Sequence, residues 1–163
     1  MYTLLVGRSH LDYAITLIDK LTTRGHNVHL LIAWFNSDVK EVGRHSASEV
    51  VSFRFPEISP WNKAQHLSNP FEEVNSFPLD TFNFGTLYNI SGDLCKEALR
   101  SKEVHDLLSR NTYDLGLIWN YEYCGHALMH RYGITRTVGV VPTPIAPFTV
   151  VAAGLPLMTI YEN

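Results

Sequence analysis

The sequence has little excess charge and no long apolar run. Its 163 residues include 13 Lys and Arg and 16 Asp and Glu, so the net charge is −3 with the histidines neutral. Without a basic cluster, no nucleic-acid partner is expected. The longest apolar run, 28–35, is much shorter than the roughly 18 residues that cross a bilayer. Met1 leads almost directly into an apolar strand rather than a signal peptide, which predicts a cytosolic polypeptide for the chain as printed.

Two motif classes are also missing. The only cysteines, Cys95 and Cys124, form no C-x-x-C pair, so no disulfide framework and no redox compartment is predicted from them. The turn after the first apolar strand, 7–12, contains neither G-x-G-x-x-G nor the P-loop lysine, which argues against a pyrophosphate cradle. An unrelated nucleotide-binding α/β enzyme, such as a dehydrogenase or a phosphotransferase, is therefore disfavoured.

The pattern that is present alternates strands with helices. Apolar runs predict strands at 2–6, 28–35, 50–55, 114–119 and 137–141. Helical periodicity appears at 11–21, at 84–108 with a break near Ser101, and at 122–132. Ser9 followed by Asp12 resembles a capping box at the first helix. Together these elements predict an α/β fold, a Rossmann-like open parallel sheet with flanking helices, in one domain covering 1–163.

Two segments carry neither period. Residues 56–80 hold four prolines and several large aromatic side chains. Because so long a loop is uncommon in a compact domain, it is interpreted as a functional segment. Residues 142–163 form a Pro-rich segment at the C-terminal end of the domain, and its prolines exclude a regular element until past Phe148.

The sharpest candidate residue is His10, which follows the first predicted strand. Open α/β sheets bind ligands at the carboxyl ends of their strands. At a helix start the dipole disfavours imidazolium, and a neutral imidazole can act as a general base at pH 7. A merely exposed histidine at a helix start explains the position equally well. Glu122, at the start of a later helix, would either balance the charge of His10 or only favour its own helix end.

Other side chains near the strand ends have two interpretations each. Trp119 and Tyr121 would line a ligand cavity or pack at the sheet edge. His126 and His130 are one helical turn apart, as in zinc proteases, but Ala127 replaces the glutamate that would be the base. The other face of this helix carries Cys124, Ala127, Leu128 and the stem of Arg131. Both histidines are therefore predicted on the solvent side, without a metal.

Several short segments resemble, in order and spacing, the start of animal UDP-glycosyltransferases, the glucuronosyltransferase-like family. They are Gly7-x-Ser9-His10-Leu11, Gly25-His26-Asn27-Val28, Leu94-Cys95-Lys96-Glu97, Tyr113-Asp114-Leu115, Tyr123-Cys124-Gly125, Gly133-Ile134 and Gly154-Leu155-Pro156. The resemblance covers nearly the whole chain. It implies the acceptor-binding N-terminal half of a two-domain GT-B glycosyltransferase, with the donor-binding domain absent from the printed sequence.

The resemblance also implies a reaction. A UDP-sugar, as co-substrate, would transfer its hexosyl group to a small lipophilic hydroxyl acceptor with inversion, using no metal and no bound cofactor. By the same resemblance His10 would be the general base, and we expect Trp119, Tyr121 and Phe148 to contact the acceptor. The isolated chain is expected to be inactive because the donor half is missing, and homo-oligomerisation is left open.

Two features depart from the family. The acidic residue with which its members hold the catalytic histidine falls on Trp119 in this sequence, so Glu122 would have to replace it. Family members enter the lumen of the endoplasmic reticulum by a signal peptide and are held by a C-terminal membrane helix. The printed chain shows neither, so an endoplasmic-reticulum location follows from the resemblance alone. The rival interpretation is a non-catalytic fragment that binds acceptors or a partner subunit.

Overall fold

The computed structural model describes residues 1–5, 7–34, 42–54, 84–120 and 123–141. The strands in these ranges are β1 (Tyr2–Leu5), β2 (His29–Trp34), β3 (Glu49–Arg54), β4 (Gly116–Trp119) and β5 (Thr137–Val140). The helices are α1 (Arg8–Thr22), α2 (Phe84–Arg100), α3 (Lys102–Arg110) and α4 (Cys124–Arg131). Residues 56–80 and 142–163, together with Tyr121, Glu122 and Phe148, lie outside the described ranges.

All five strands belong to one parallel sheet in the order β3-β2-β1-β4-β5. β1 pairs with β2 along its length and with β4 through Tyr2 and Ile118. The chain therefore moves outward from β1 to β3, and then returns to place β4 and β5 on the other side of β1. This arrangement confirms the predicted α/β Rossmann-like sheet. The strand order reverses between β1 and β4, where sheets of this kind form a crevice at their carboxyl ends.

The sheet buries a different core on each face, because successive side chains of a strand point to opposite sides. One core joins α1 to the strands and includes Leu11, Ile18, Leu30 and Ile32. We call this side the α1 face. The other core joins three helices to the strands and includes Tyr2, Leu4, Leu94, Val104, Ile118 and Leu128. We call this side the α2–α4 face.

Most predicted elements are confirmed within a few residues of their predicted bounds. The helical segment predicted to break near Ser101 is two helices, and the Ser101 hydroxyl caps the second by accepting a hydrogen bond from the Val104 N–H at 3.3 Å. Gly133 ends α4 with a φ of 72°, a conformation that glycine adopts without a steric penalty. Ser101 and Gly133 thus lie where the helical pattern in the sequence stops.

The predicted capping box at Ser9 is wrong. Gly7, in an extended conformation, is the N-cap residue, so α1 begins at Arg8 and Ser9 lies inside its first turn. Asp12 does not close a box with Ser9. Its carboxylate instead accepts a hydrogen bond from Arg8 at 2.9 Å, one turn earlier on the helix. The apolar stripe did not mark the true start of the helix, because the first turn is largely exposed and carries no part of that stripe.

The sequence alone did not predict a disulfide. Cys95 of α2 and Cys124 at the start of α4 form a disulfide with a Cα–Cα distance of 5.3 Å. They are 29 residues apart in the chain and meet because α2 and α4 pack side by side on the α2–α4 face. The described helices include none that is long and apolar enough to cross a membrane.

Candidate active site

The start of α1 lies at the reversal point of the sheet. β1 is the central strand, and the chain passes from its carboxyl end at Leu5 into α1 at Arg8. The His10 N–H donates a hydrogen bond to the Gly7 carbonyl at 3.1 Å, which tightens the first turn. His10 is thus placed in the first turn of a helix, above the junction of β1 and β4. Ligands bind at this place in open α/β sheets.

The ring of His10 packs on Trp119, the last residue of β4. The two ring centroids are 5.1 Å apart, and the planes are inclined by 38°. Tyr13 reaches the same indole edge-on, with centroids 6.0 Å apart and planes at 78°. The Ser9 hydroxyl lies 3.3 Å from Nδ1 of the same imidazole. The structure therefore brings His10 together with Trp119, the residue that stands where the family has the acidic partner of its histidine.

The protonation of His10 is set by its surroundings. The side chain is half-buried, and this burial lowers the pKa of the imidazole from its ordinary value near 6.5. Desolvation acts in this direction because it disfavours the charged form. The positive end of the α1 dipole adds to the same tendency. At pH 7 the ring is neutral and able to accept a proton.

The four other predicted site residues fare differently. Trp119 is fully buried, and its indole contacts His10 and Tyr13. Its predicted contact with an acceptor stays a prediction. Tyr121, Glu122 and Phe148 lie outside the described residues, so their predicted roles stay predictions too.

The two histidines of α4 do not share one environment. His130 is exposed, as predicted. His126 is half-buried, and its Nε2 lies 2.9 Å from the amide oxygen of Asn120 just after β4. The prediction that both point to solvent is wrong for His126, because α4 turns Gly125 and Met129 toward the sheet and leaves His126 at its border. Within the described ranges, no three His, Cys, Asp or Glu side chains converge as a metal site would require.

An apolar groove on the α2–α4 face was not anticipated from the sequence. It lies between α2 and α4 and has a volume of about 190 Å³. Its wall includes the disulfide of Cys95 and Cys124, together with Ser91, Tyr123 and Ala127. Tyr123 is 67% exposed at the rim, an unusual position for a large aromatic side chain. No sequence signal pointed to this groove, because it depends on the packing of two helices that are distant in the chain.

The chain was also compared with known proteins. No family model matches it, and neither the curated proteins nor the solved structures gave a significant match.

Proposed function

We propose that this chain is the acceptor-binding half of a GT-B UDP-glycosyltransferase of the glucuronosyltransferase-like class, with His10 as its general base. The observation that carries the proposal is the environment of His10. Its imidazole lies in the first turn of α1 at the reversal point of the sheet, and burial lowers its pKa. The segment resemblance around this histidine supplies the reaction class.

In the proposed reaction, the hydroxyl of a small lipophilic acceptor lies against His10. The imidazole takes the hydroxyl proton as the oxygen attacks the anomeric carbon of the UDP-sugar. The new C–O bond forms as the bond to UDP breaks on the opposite side, so the configuration inverts. The second domain of the family holds the UDP-sugar, and the present chain contributes the base and the acceptor site.

We further propose that the protein works in an oxidising compartment, the lumen of the endoplasmic reticulum. The disulfide between Cys95 and Cys124 supports this location. Disulfides form and persist in oxidising compartments and are rare in the cytosol, where thiols are kept reduced.

The base assignment is tested by joining the chain to the donor domain of a UDP-glycosyltransferase. A general base contributes about 10²–10⁴-fold to rate, so His10→Ala should lower kcat by that factor with little change in acceptor KM. His130→Ala is the matched control, because His130 is exposed on α4, and it should keep full activity. Full activity of His10→Ala would show that the base assignment is wrong.

Glu122 is proposed as the charge partner of His10 in the same joined enzyme. If its carboxylate supports the developing imidazolium, Glu122→Gln should lower kcat nearly as much as His10→Ala. Full activity of Glu122→Gln would remove Glu122 from the mechanism and leave His10 in place.

A second candidate function is a non-catalytic binding module for small apolar molecules. The groove beside the disulfide favours it, because its volume of about 190 Å³ exceeds the ~150 Å³ of a buried cavity that takes up benzene. Phenols titrated into the 163-residue chain would distinguish the two functions by nuclear magnetic resonance. Shifts at Tyr123 and Ala127, abolished by Ala127→Phe, would favour the binding module. Shifts at His10 would favour the acceptor site of the transferase.

A further inference from the structure

We propose that Trp119 is the positioning residue of His10, with its indole as the fixed wall against which the imidazole packs. The inference rests on the proposed role of His10 as the base. It assigns Trp119 a function through His10 rather than through contact with the acceptor.

The first argument is the geometry of three rings. His10 and Tyr13 are three residues apart on α1 and therefore lie on one side of the helix. Both rings meet the indole of Trp119, with centroid distances of 5.1 Å and 6.0 Å. These distances are within the range in which aromatic rings attract each other. One indole thus contacts both His10 and Tyr13, which are neighbours on this side of α1. Of these two side chains, His10 is the one that can accept a proton.

The second argument is the rigidity of the wall. Trp119 is fully buried and pairs with Val140 of β5, and the next N–H, that of Asn120, donates to the Val140 carbonyl at 3.1 Å. The preceding residue, Ile118, packs on the opposite face of the sheet, where it meets α4 at Gly125. β4 is therefore held from both sides, and Trp119 contacts His10 on α1 while it is also part of the core of the α2–α4 face.

The third argument is chemical. A buried indole excludes water from one side of the imidazole, which favours the neutral ring, and it limits the rotation of that ring. The charged groups along the same turn of α1 are Arg8 and Asp12, which bind each other at 2.9 Å, and the polar groups are Tyr13 and the Ser9 hydroxyl. Arg8 and Asp12 are both largely exposed. Loosening the wall should therefore change the protonation and the orientation of His10 before it changes acceptor binding.

The contact can be tested on the 163-residue chain without any activity assay. Histidine ring signals are followed by nuclear magnetic resonance against pH in the wild type, Trp119→Phe and Trp119→Leu. In the wild type, the indole ring current should shift the His10 ring protons upfield, and the pKa of His10 should lie below the ordinary value of a histidine, since burial lowers it. Trp119→Leu should abolish the upfield shift and raise the pKa of His10 toward its ordinary value. Trp119→Phe should retain part of the upfield shift and part of the lowered pKa of His10. The chemical shifts of the His130 ring should be the same in all three proteins.

A buried tryptophan can be needed for folding, so a second variant keeps the test decisive. Tyr13 is 40% exposed and meets the indole at a larger centroid distance than His10 does, so Tyr13→Leu should fold and should shift the His10 signals in the same direction by a smaller amount. His10 signals that are identical in the wild type, Tyr13→Leu and any folded Trp119 variant would overturn the proposal.

In the joined enzyme, the positioning role predicts a change in kcat rather than KM. Trp119→Leu should lower kcat about 10-fold or more and move the acidic limb of the pH profile of kcat/KM to higher pH. Trp119→Phe should restore part of the rate. If Trp119→Leu instead raised the acceptor KM about 10-fold and left kcat unchanged, Trp119 would only shape the acceptor site, and the proposal would be overturned. If the His10 signals depend on Trp119 but His10→Ala remains fully active, the contact stands and the base assignment fails.

Discussion

The two faces of the sheet carry different features. The α1 face is covered by one described helix and holds His10, with a partly solvated ring and a first turn that is largely exposed. The α2–α4 face is covered by three described helices and holds a disulfide between Cys95 and Cys124. At Gly125, α4 approaches the strands so closely that no side chain would fit.

The comparison indicates a division of labour. The candidate base, His10, lies on the α1 face, which does not hold the disulfide, and at the helix start nearest the reversal of strand order. Residues that fix the relative positions of helices and strands lie on the opposite face. Trp119 connects the two, since its ring contacts α1 while its neighbour Ile118 packs under α4. Damage to the α2–α4 face should therefore cost stability first, and should reach His10 only through β4.

Reduction of the disulfide should have the largest effect on stability. The loop that it closes spans 29 residues, for which loop-closure entropy gives a loss of about 3–4 kcal/mol in the free energy of unfolding. Urea denaturation of the oxidised and reduced chain measures this loss. The His10 ring signals, on the α1 face, should stay the same in the reduced chain below its unfolding transition.

The double variant Cys95→Ala/Cys124→Ala is the control for effects of the reductant itself. It should match the reduced wild type and should not respond to reductant. Equal stability of the oxidised and reduced wild type would contradict the role given to the disulfide. A disturbed His10 in the folded, reduced chain would contradict the separation of the two faces.

Gly125→Ala should have the next largest effect. A Cβ at this position would lie 2.5 Å from a methyl carbon of Ile118 and 2.6 Å from the ring of Tyr2, and both of these residues are buried. Such overpacking costs about 1–3 kcal/mol, more than alanine gains as a helix former. The midpoint of thermal unfolding should therefore fall.

Gly92→Ala is the matched control on α2. A Cβ there would meet nothing within 4 Å, so alanine should raise the free energy of unfolding by roughly 0.5–1 kcal/mol through its better helix propensity. If both substitutions change stability in the same direction, the close contact at Gly125 does not limit the packing of α4.

Local patterns in the sequence predicted most of the fold. Apolar runs gave the strands because strands of a parallel sheet are buried on both sides, and the breaks at Ser101 and Gly133 gave the ends of helices. The strand–helix alternation also put His10 at a carboxyl end. The start of α1 was wrongly placed, with Ser9 as its N-cap, because the exposed first turn has no apolar stripe to mark it.

Local patterns did not predict the contacts of the candidate site, and only the family resemblance put Trp119 at the position of a partner of His10. His10 and Trp119 are 109 positions apart, and they meet only because β4 lies beside β1 rather than beside β3. Cys95 and Cys124 meet for a similar reason, through helix packing. For His126, the burial of Gly125 and Met129 brings the buried side of α4 next to the histidine, and its contact with Asn120 depends on where β4 ends. Each missed feature depends on tertiary placement, which periodicity does not encode.

The smallest expected effect is the contribution of His10, on the α1 face, to the pH dependence of stability. Burial lowers the pKa of His10, and at the amino end of the central strand β1 burial lowers the pKa of the Met1 amino group to about 5. A base with a lowered pKa in the folded state binds more protons when unfolded, so stability rises with pH. For Met1 the rise lies between pH 5 and 8 and approaches about 1.4 kcal/mol per pH unit. For His10 it lies below about 6.5 and is smaller, because the ring is half exposed.

His10→Gln separates the two contributions. Because glutamine does not titrate, urea denaturation from pH 5 to 8 should show a shallower rise for the variant below pH 6.5 and a parallel curve above it. Acetylation of the Met1 amino group should instead flatten the rise over the whole range from pH 5 to 8. Parallel curves for the wild type and His10→Gln over the whole range would mean that folding does not desolvate the imidazole. The wall of Trp119 would then not act on His10, and the α1 face would lose the feature that distinguishes it from the α2–α4 face.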